Sequence, residues 1–106
     1  MRFLLVLFLL PFAAHAADVS YDCEGKRSFF HRGAPSTVPI DEKRSYRIEG
    51  DKFDGLECKV SEAEVGCHGL TPEMAYRRIL IDRSAGTVRD ALELPTAMMV
   101  FEGRCK

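Results

Sequence analysis

The stretch RILIDRSAGTVRDALELPTAMMVFEGRC, residues 78–105, decides the fold, because it predicts three successive strands that end in a cysteine. In residues 78–83 the side chains alternate between two faces, as a strand requires, with Ile79 and Ile81 on the same face. Residues 84–86 end in a glycine and supply the short turn of a hairpin. The first two strands are therefore predicted to be antiparallel neighbours.

The third strand follows a proline. Residues 87–94 alternate like the strand before them, and Pro95 then interrupts the sheet because proline has no N–H to donate. The alternation resumes at Met98 and places Phe101 and Cys105 on one face. Cys105 is therefore predicted to point in the direction of Phe101, into a core.

The first residues predict export. Arg2 is followed by the apolar run FLLVLFLL at residues 3–10, and residues 14–16 read Ala-His-Ala, a pattern typical of a signal-peptide cleavage site. We expect residues 1–16 to be a signal peptide and residues 17–106 to be a single disulfide-stabilised domain, periplasmic or secreted. The apolar run is too short for a bilayer core of roughly 30 Å, so no membrane span is expected.

The four cysteines indicate two disulfide bonds, because an even number in a short exported chain is typical of bridged domains. Strand register helps to choose among the three possible pairings. If the polar residues 61–64 form a hairpin loop, Val60 faces Val65, and the same register places Cys58 opposite Cys67. A helix over the loop is the competing interpretation, and the neighbouring glycines argue against it.

Cys23 and Cys105 remain as the second pair. Val19, Tyr21 and Cys23 alternate with polar residues, so the mature chain is predicted to open with a half-buried strand. Its inward cysteine can meet the inward cysteine of the last strand, which makes the first and last strands neighbours. Zinc is the alternative use of four cysteines, but the spacing contains no C-x-x-C and no clustered histidines.

The middle of the chain predicts short strands between turn signals. Residues 26–32 and 44–49 predict two strands, and residues 33–39 form a loop rich in glycine and proline. Thr71, followed by proline and glutamate, predicts at most one short helix near 72–76. The predicted fold is all-β, a small antiparallel barrel or sandwich of seven to eight short strands.

The charge distribution argues against nucleic-acid binding, since the formal net charge is −1. Residues 49–64 are locally acidic, whereas residues 26–47 are rich in lysine and arginine. This division predicts either a bipolar surface that docks a charged partner or an ordinary solvated exterior with both signs. The sequence leaves both interpretations open.

No catalytic residue, cofactor or metal site is expected. His68 follows Cys67, but neighbouring strand residues point to opposite faces, so the two cannot act together. Asp82 and Asp90 predict either a paired-carboxylate site or simple cross-strand ion pairs, and His31 is most simply a surface histidine. The common motifs of hydrolases, metalloproteases and phosphate-binding loops are absent.

Apolar residues offer a second class of function. Met98 and Met99 follow the strand break and predict either an adaptable apolar contact or core packing. A cavity lined by Phe29, Phe53, Met98 and Phe101 would indicate a carrier of a small apolar ligand inside a barrel. A filled interior would instead indicate a binding module, which is the expectation for so short a chain.

The order of motifs along the chain resembles that of small exported disulfide-bridged bacterial β proteins. The motifs are the signal peptide, C-E-G at residues 23–25, two mid-chain cysteines, I-D-R-x-x-G at residues 81–86 and F-E-G-R-C at residues 101–105. The aromatic, cysteine-containing strand at residues 21–26 is similar to the first strand of periplasmic inhibitors of C-type lysozyme. The resemblance implies a β-barrel and, as a function, protein inhibition. We therefore expect a non-enzymatic binding module, an inhibitor or immunity-type partner of another envelope or extracellular protein. The apolar-ligand carrier is the alternative, and the oligomeric state is left open.

Overall fold

A computed structural model describes residues 18–35 and 38–106, which form a single antiparallel sheet. Its strands are ordered β2-β1-β8-β7-β6-β5-β4-β3, and the sheet curls into a half-barrel. The described residues contain no helix, so the predicted all-β class is confirmed. The strands are β1 (Val19–His31), β2 (Ile40–Ile48), β3 (Lys52–Phe53), β4 (Leu56–Val60), β5 (Glu64–Leu70), β6 (Tyr76–Asp82), β7 (Thr87–Glu93) and β8 (Ala97–Cys105).

The predicted signal peptide at residues 1–16 lies outside the described residues. Within the part of the chain that is described, no helix has the length and apolar character needed to cross a membrane.

Two predicted strands have different limits in the structure. The separate strand expected at residues 26–32 is the second half of β1, which runs without a break for 13 residues. It continues because Gly25 and the residues after it stay paired with β8 as far as His31. The strand expected at residues 44–49 begins earlier, at Ile40, because β1 provides a partner along that whole length.

The segment near 72–76 is a turn. The N–H of Met74 donates to the carbonyl of Thr71 over 2.9 Å, and the N–H of Ala75 donates to the Thr71 hydroxyl over 3.2 Å. Met74 has a φ of 67°, outside the helical region, so the chain reverses after one turn. Thr71 therefore caps a turn where the sequence allowed a short helix.

Both predicted disulfide bonds are present, Cys58–Cys67 and Cys23–Cys105. Cys58 pairs with Cys67 and Val60 with Val65 in the register expected from the loop at residues 61–64. Cys23 pairs with Cys105 between β1 and β8, which makes the first and last strands neighbours. Each bridge joins residues whose Cα atoms are 4.0 Å apart, the short spacing typical of pairs that exchange no backbone hydrogen bond.

The inner face of the half-barrel contains an apolar core and a charged cluster beside it. The boundary between the core and the charged cluster lies along β7. Val88 belongs to the core, whereas Asp90, two residues later on the same face, is bound by arginines. Phe101 is fully buried in the core. The other core residues are Cys23, Tyr46, Ile48, Leu56, Cys58, Val65, Cys67, Ile79 and Ile81.

Candidate functional site

A groove of about 1040 Å³ runs over the outer face of β4, β5 and β6. Gly66, in the middle of β5, forms its floor, because a Cβ placed there would meet no atom within 4 Å. Glu64 and His68, two residues before and after Gly66, point outward because they alternate with the buried Val65 and Cys67. The sheet surface therefore has an open depression where a side chain would ordinarily stand.

The strand register builds the walls of the groove. Lys59 and Leu80 lie opposite Gly66 on the two neighbouring strands, and Leu80 is 44% exposed. In the adjacent row His68 lies beside Arg78, whose guanidinium carbon is 5.6 Å from the centre of the Tyr76 ring. Apolar, aromatic and cationic groups thus surround an open floor, and the acidic residues Asp51, Glu57 and Glu64 line the groove as well. Aromatic and arginine side chains are enriched in the centres of protein interfaces.

Some of the charges that line the groove are left without an ion pair. Glu57, Lys59 and Arg78 line the groove, and within the described ranges none of the three has an ion-pair partner. On the side of β1, β2, β7 and β8, three ion pairs join adjacent strands, although Arg47 and Arg104 there have no ion-pair partner within the described ranges. These pairs are Lys26–Asp41 at 2.6 Å, Arg89–Glu102 at 3.4 Å and Lys43–Glu24 at 3.9 Å.

The predicted division into a basic and an acidic part does not separate these two regions. Lys26 and Lys43, from the basic part of the sequence, are paired with acids. Lys59, from the acidic part, lacks a partner among residues 18–35 and 38–106. Whether a charge is paired depends on its neighbours across the strands, which the order of charges along the chain does not reveal.

A second polar cluster lies inside the half-barrel around Asp90, which is only 3% exposed. Arg77 binds the Asp90 carboxylate through Nε and Nη2 at 3.0 and 2.7 Å, so the two groups form a bidentate pair. Arg44 Nη1 and the Tyr46 hydroxyl each donate to Oδ2 over 2.8 Å. Arg44 also binds Glu42.

The carboxylate of Asp90 stays ionised in this cluster, and the hydroxyl of Tyr46 stays neutral. Burial alone would raise the pKa of Asp90, but the hydrogen bonds and positive charge of Arg77, with help from Tyr46 and Arg44, outweigh it and hold the pKa below the ordinary value. Burial and the negative charge of Asp90 raise the pKa of Tyr46 far above its usual range. Asp90 is therefore an ionised acceptor, and Tyr46 is a neutral donor.

A cavity of about 510 Å³ adjoins this cluster at the mouth of the half-barrel. Asp90, Arg44 and Arg77 line it together with Glu73 and the side chain of Met99. The five main pockets of the described residues do not bring together the four predicted cavity residues, Phe29, Phe53, Met98 and Phe101. The charged groups of Asp90, Arg44, Arg77 and Glu73 in this lining do not favour a purely apolar ligand.

The structure separates the two aspartates considered as a carboxylate pair. Asp82 is exposed and accepts hydrogen bonds from the N–H groups of Ser84 and Ala85, each over 3.0 Å, within the turn. Asp90 lies on the inner face instead. Neither forms the pair with Arg83 or Arg89 considered as the alternative, and Asp90 reaches arginines on β2 and β6.

The histidines and methionines also have defined places. His68 is exposed and Cys67 buried, so they lie on opposite faces as predicted. The exposed His31 packs edge-on against Phe29 with ring centres 4.7 Å apart. Met98 lies on the outer surface beside a small pocket, whereas Met99 Sδ accepts a hydrogen bond from Arg27 Nη1 over 3.5 Å.

Two features of the sites could have been found in the sequence. Asp90 falls between Val88 and Leu92 on the face predicted to be inward, so its burial follows from the same alternation. Gly66 interrupts a strand between two inward residues, which is a recognised sign of close approach or an open surface. No three His, Cys, Asp or Glu side chains of the described residues are grouped as metal ligands.

Comparison with protein-family models, with curated proteins and with solved structures finds no match for this chain.

Proposed function

We propose that this protein is an exported, non-enzymatic binding module whose outer groove over Gly66 docks a segment of another envelope or extracellular protein, as an inhibitor or immunity-type partner does. The observation that carries the proposal is the open floor at Gly66 between Lys59 and Leu80, with Arg78 in the adjacent row. A partner side chain can enter there without displacing any atom of the sheet. Export is supported by the two disulfide bonds, which belong to oxidising compartments.

The groove favours a partner segment with an apolar side chain next to a carboxylate. The apolar group would pack over Gly66 against Leu80 and Tyr76. The carboxylate would pair with Arg78 or Lys59, and a cationic group of the same segment would pair with Glu57. None of these three residues has an ion-pair partner within residues 18–35 and 38–106. Such pairing favours one orientation and accelerates association more than it raises affinity.

The interior supports binding over catalysis. The carboxylate of Asp90 is saturated by Arg44, Arg77 and Tyr46, so it has no spare capacity to act as a base. The alternative function, a carrier of a small apolar ligand, would need an apolar cavity. The mouth beside Asp90 has charged walls instead, so the protein-binding proposal is the better supported one.

The experiment uses the oxidised protein as bait in envelope extract, with a reduced and alkylated control. The captured partner is then purified, and its affinity is measured for the wild type, Gly66→Val and Arg78→Glu. Gly66→Val fills the groove at a position with free space, so the fold should survive. The matched control is Thr87→Val, another substitution on the outer face that lies outside the groove.

We expect each groove variant to lose about tenfold or more in affinity, the usual effect of a central interface residue, while Thr87→Val binds normally. Equal affinity for Gly66→Val and the wild type would refute the groove as the docking site. Release of a lipid or another apolar small molecule from the denatured wild type, with no protein partner, would support the carrier instead.

A further inference from the structure

One edge of the half-barrel is open along β2. This strand is the terminal strand of the sheet and pairs only with β1 on one side. On its other side, the backbone groups of Glu49 exchange hydrogen bonds with those of Lys52 over 2.9 and 3.1 Å, and this is an isolated bridge. The bridge closes the edge below Ile48 and leaves the rest of β2 without a strand partner within the described residues.

The bridge also defines which backbone groups face the open edge. Glu49 directs its N–H and C=O away from β1, and in an antiparallel strand the direction alternates from residue to residue. Asp41, Lys43, Ser45 and Arg47 therefore direct theirs away from β1 as well. Their side chains are all exposed on the outer face. An unpaired row of this kind is a template for another strand.

We propose that a second copy of this chain pairs its own β2 with this edge, antiparallel, about a two-fold axis at Arg44. Asp41 of each copy then lies opposite Arg47 of the other, and Lys43 lies opposite Ser45. All four open positions of each copy obtain a backbone partner in this register. Two Asp–Arg contacts form on the outer face, one on each side of the axis, and in each the aspartate is shared with Lys26 of its own chain.

Charge selects this register over its neighbours. A two-fold axis at Lys43 would place the two copies of that lysine against each other. An axis at Ser45 would place Lys43 opposite Arg47 twice, and like charges directly opposite are destabilising. In the proposed register the strand pairing ends where Glu49, already used by the bridge, would meet Pro39, which has no N–H to offer.

The residue at the axis is compatible with this arrangement. Arg44 points into the half-barrel, where its Nη1 is 2.8 Å from Asp90 and its guanidinium also binds Glu42. Its charge is therefore compensated within its own chain when the second Arg44 approaches. The proposal is independent of the groove over Gly66, which lies on β4, β5 and β6.

The first test is the mass of the full oxidised protein in solution, measured by analytical ultracentrifugation across micromolar concentrations. We expect a reversible dimer. Ser45→Pro removes an N–H that faces the open edge and leaves the β1 ladder intact, so it should yield a folded monomer. Ser45→Ala loses the same hydroxyl contact to Asp22 but keeps the N–H, and it should remain dimeric. A wild type that stays monomeric, or a Ser45→Pro variant that dimerises normally, would overturn the proposal.

A charge exchange provides the second test and does not depend on how Ser45→Pro folds. An Arg47→Asp chain alone, or an Asp41→Arg chain alone, places like charges opposite each other and should dimerise about tenfold more weakly. When the two variants are mixed, both positions become complementary, so a heterodimer should form with near wild-type affinity. Failure of the mixture to associate would rule out this register. Binding of β2 to a strand of a different protein by a monomeric wild type would rule out the second copy as its occupant.

Discussion

Gly25 on β1 and Gly103 on β8 lie directly opposite each other where the two backbones approach too closely for any side chain. A Cβ on Gly25 would stand 2.5 Å from the Cα of Gly103, and one on Gly103 would stand 2.7 Å from the Cα of Gly25. This glycine pair is two residues from the Cys23–Cys105 bridge on both strands. It allows the first and last strands to pack closely where they meet.

We predict that Gly103→Ala lowers the free energy of unfolding by about 2 kcal/mol or more, because backbone atoms rather than a flexible side chain must move. Gly66→Ala is the matched control, since its new methyl group meets nothing within 4 Å, and a change within about 0.5 kcal/mol is expected. Chemical denaturation of both variants measures the difference. Equal stability of the two would show that β1 and β8 can separate without cost.

The two disulfide bonds should contribute unequally. The Cys23–Cys105 bridge spans a sequence separation of 82 and the Cys58–Cys67 bridge one of 9. The chain-entropy model gives about 4.5 kcal/mol for the long loop and about 2.5 kcal/mol for the short one. The double variant Cys23→Ala/Cys105→Ala should therefore have a lower denaturation midpoint than the double variant Cys58→Ala/Cys67→Ala. The reverse order would show that strain or packing outweighs loop entropy.

Asp90 predicts a specific response to acid. Its folded-state pKa is lowered, so the unfolded state binds the proton more readily, and the stabilisation by Asp90 is complete above the ordinary aspartate pKa of about 3.9. It is lost as the pH falls further, through the folded-state pKa. We expect the thermal unfolding midpoint of the wild type to decrease as the pH is lowered below about 4.

Asp90→Asn should be less stable near neutral pH, because two arginines lose their counter-charge, and its stability should fall less steeply in acid. Glu57→Gln, on the outer surface, should retain the wild-type pH profile. Thermal unfolding from neutral to acidic pH compares the three proteins. If the stability of Asp90→Asn decreased in acid as steeply as that of the wild type, Asp90 would not be the group responsible for the loss of stability at low pH.

Tyr46 should contribute through its hydroxyl. Tyr46→Phe removes a hydrogen bond to a buried carboxylate and is expected to cost about 1.5 to 3 kcal/mol. It should also raise the pKa of Asp90, so the loss of stability in acid should begin at a higher pH than in the wild type. Tyr21→Phe is the control, because the Tyr21 hydroxyl has no hydrogen-bond partner within the described ranges. Equal losses in the two variants would indicate a packing effect alone.

The sequence predicted the features that depend on alternation and hairpin geometry. Cys58 and Cys67 follow from a four-residue loop, and the pairing of Cys23 with Cys105 follows by elimination and inward orientation. Strand limits were harder to predict, because Ile40 and the residues after Gly25 extend β2 and β1 only where a neighbouring strand offers partners. Local pattern contains no information on that neighbour.

The candidate sites depended on long-range contacts even more strongly. The alternation places Asp90 inward, but its partners Arg44 and Arg77 lie 46 and 13 residues away along the chain. The two walls of the groove come from different strands that meet only through register. The glycine at its floor is visible in the sequence, whereas the free space above it is a property of the assembled sheet.

The floor of the groove is also the reverse side of the core. Gly66 lies between Val65 and Cys67, both of which are fully buried, and Cys67 is covalently fixed to β4. The floor of the groove therefore cannot move unless the core itself deforms. A partner would meet a rigid surface that is already in its binding form, and little of the interaction energy would be spent on ordering this side of the interface.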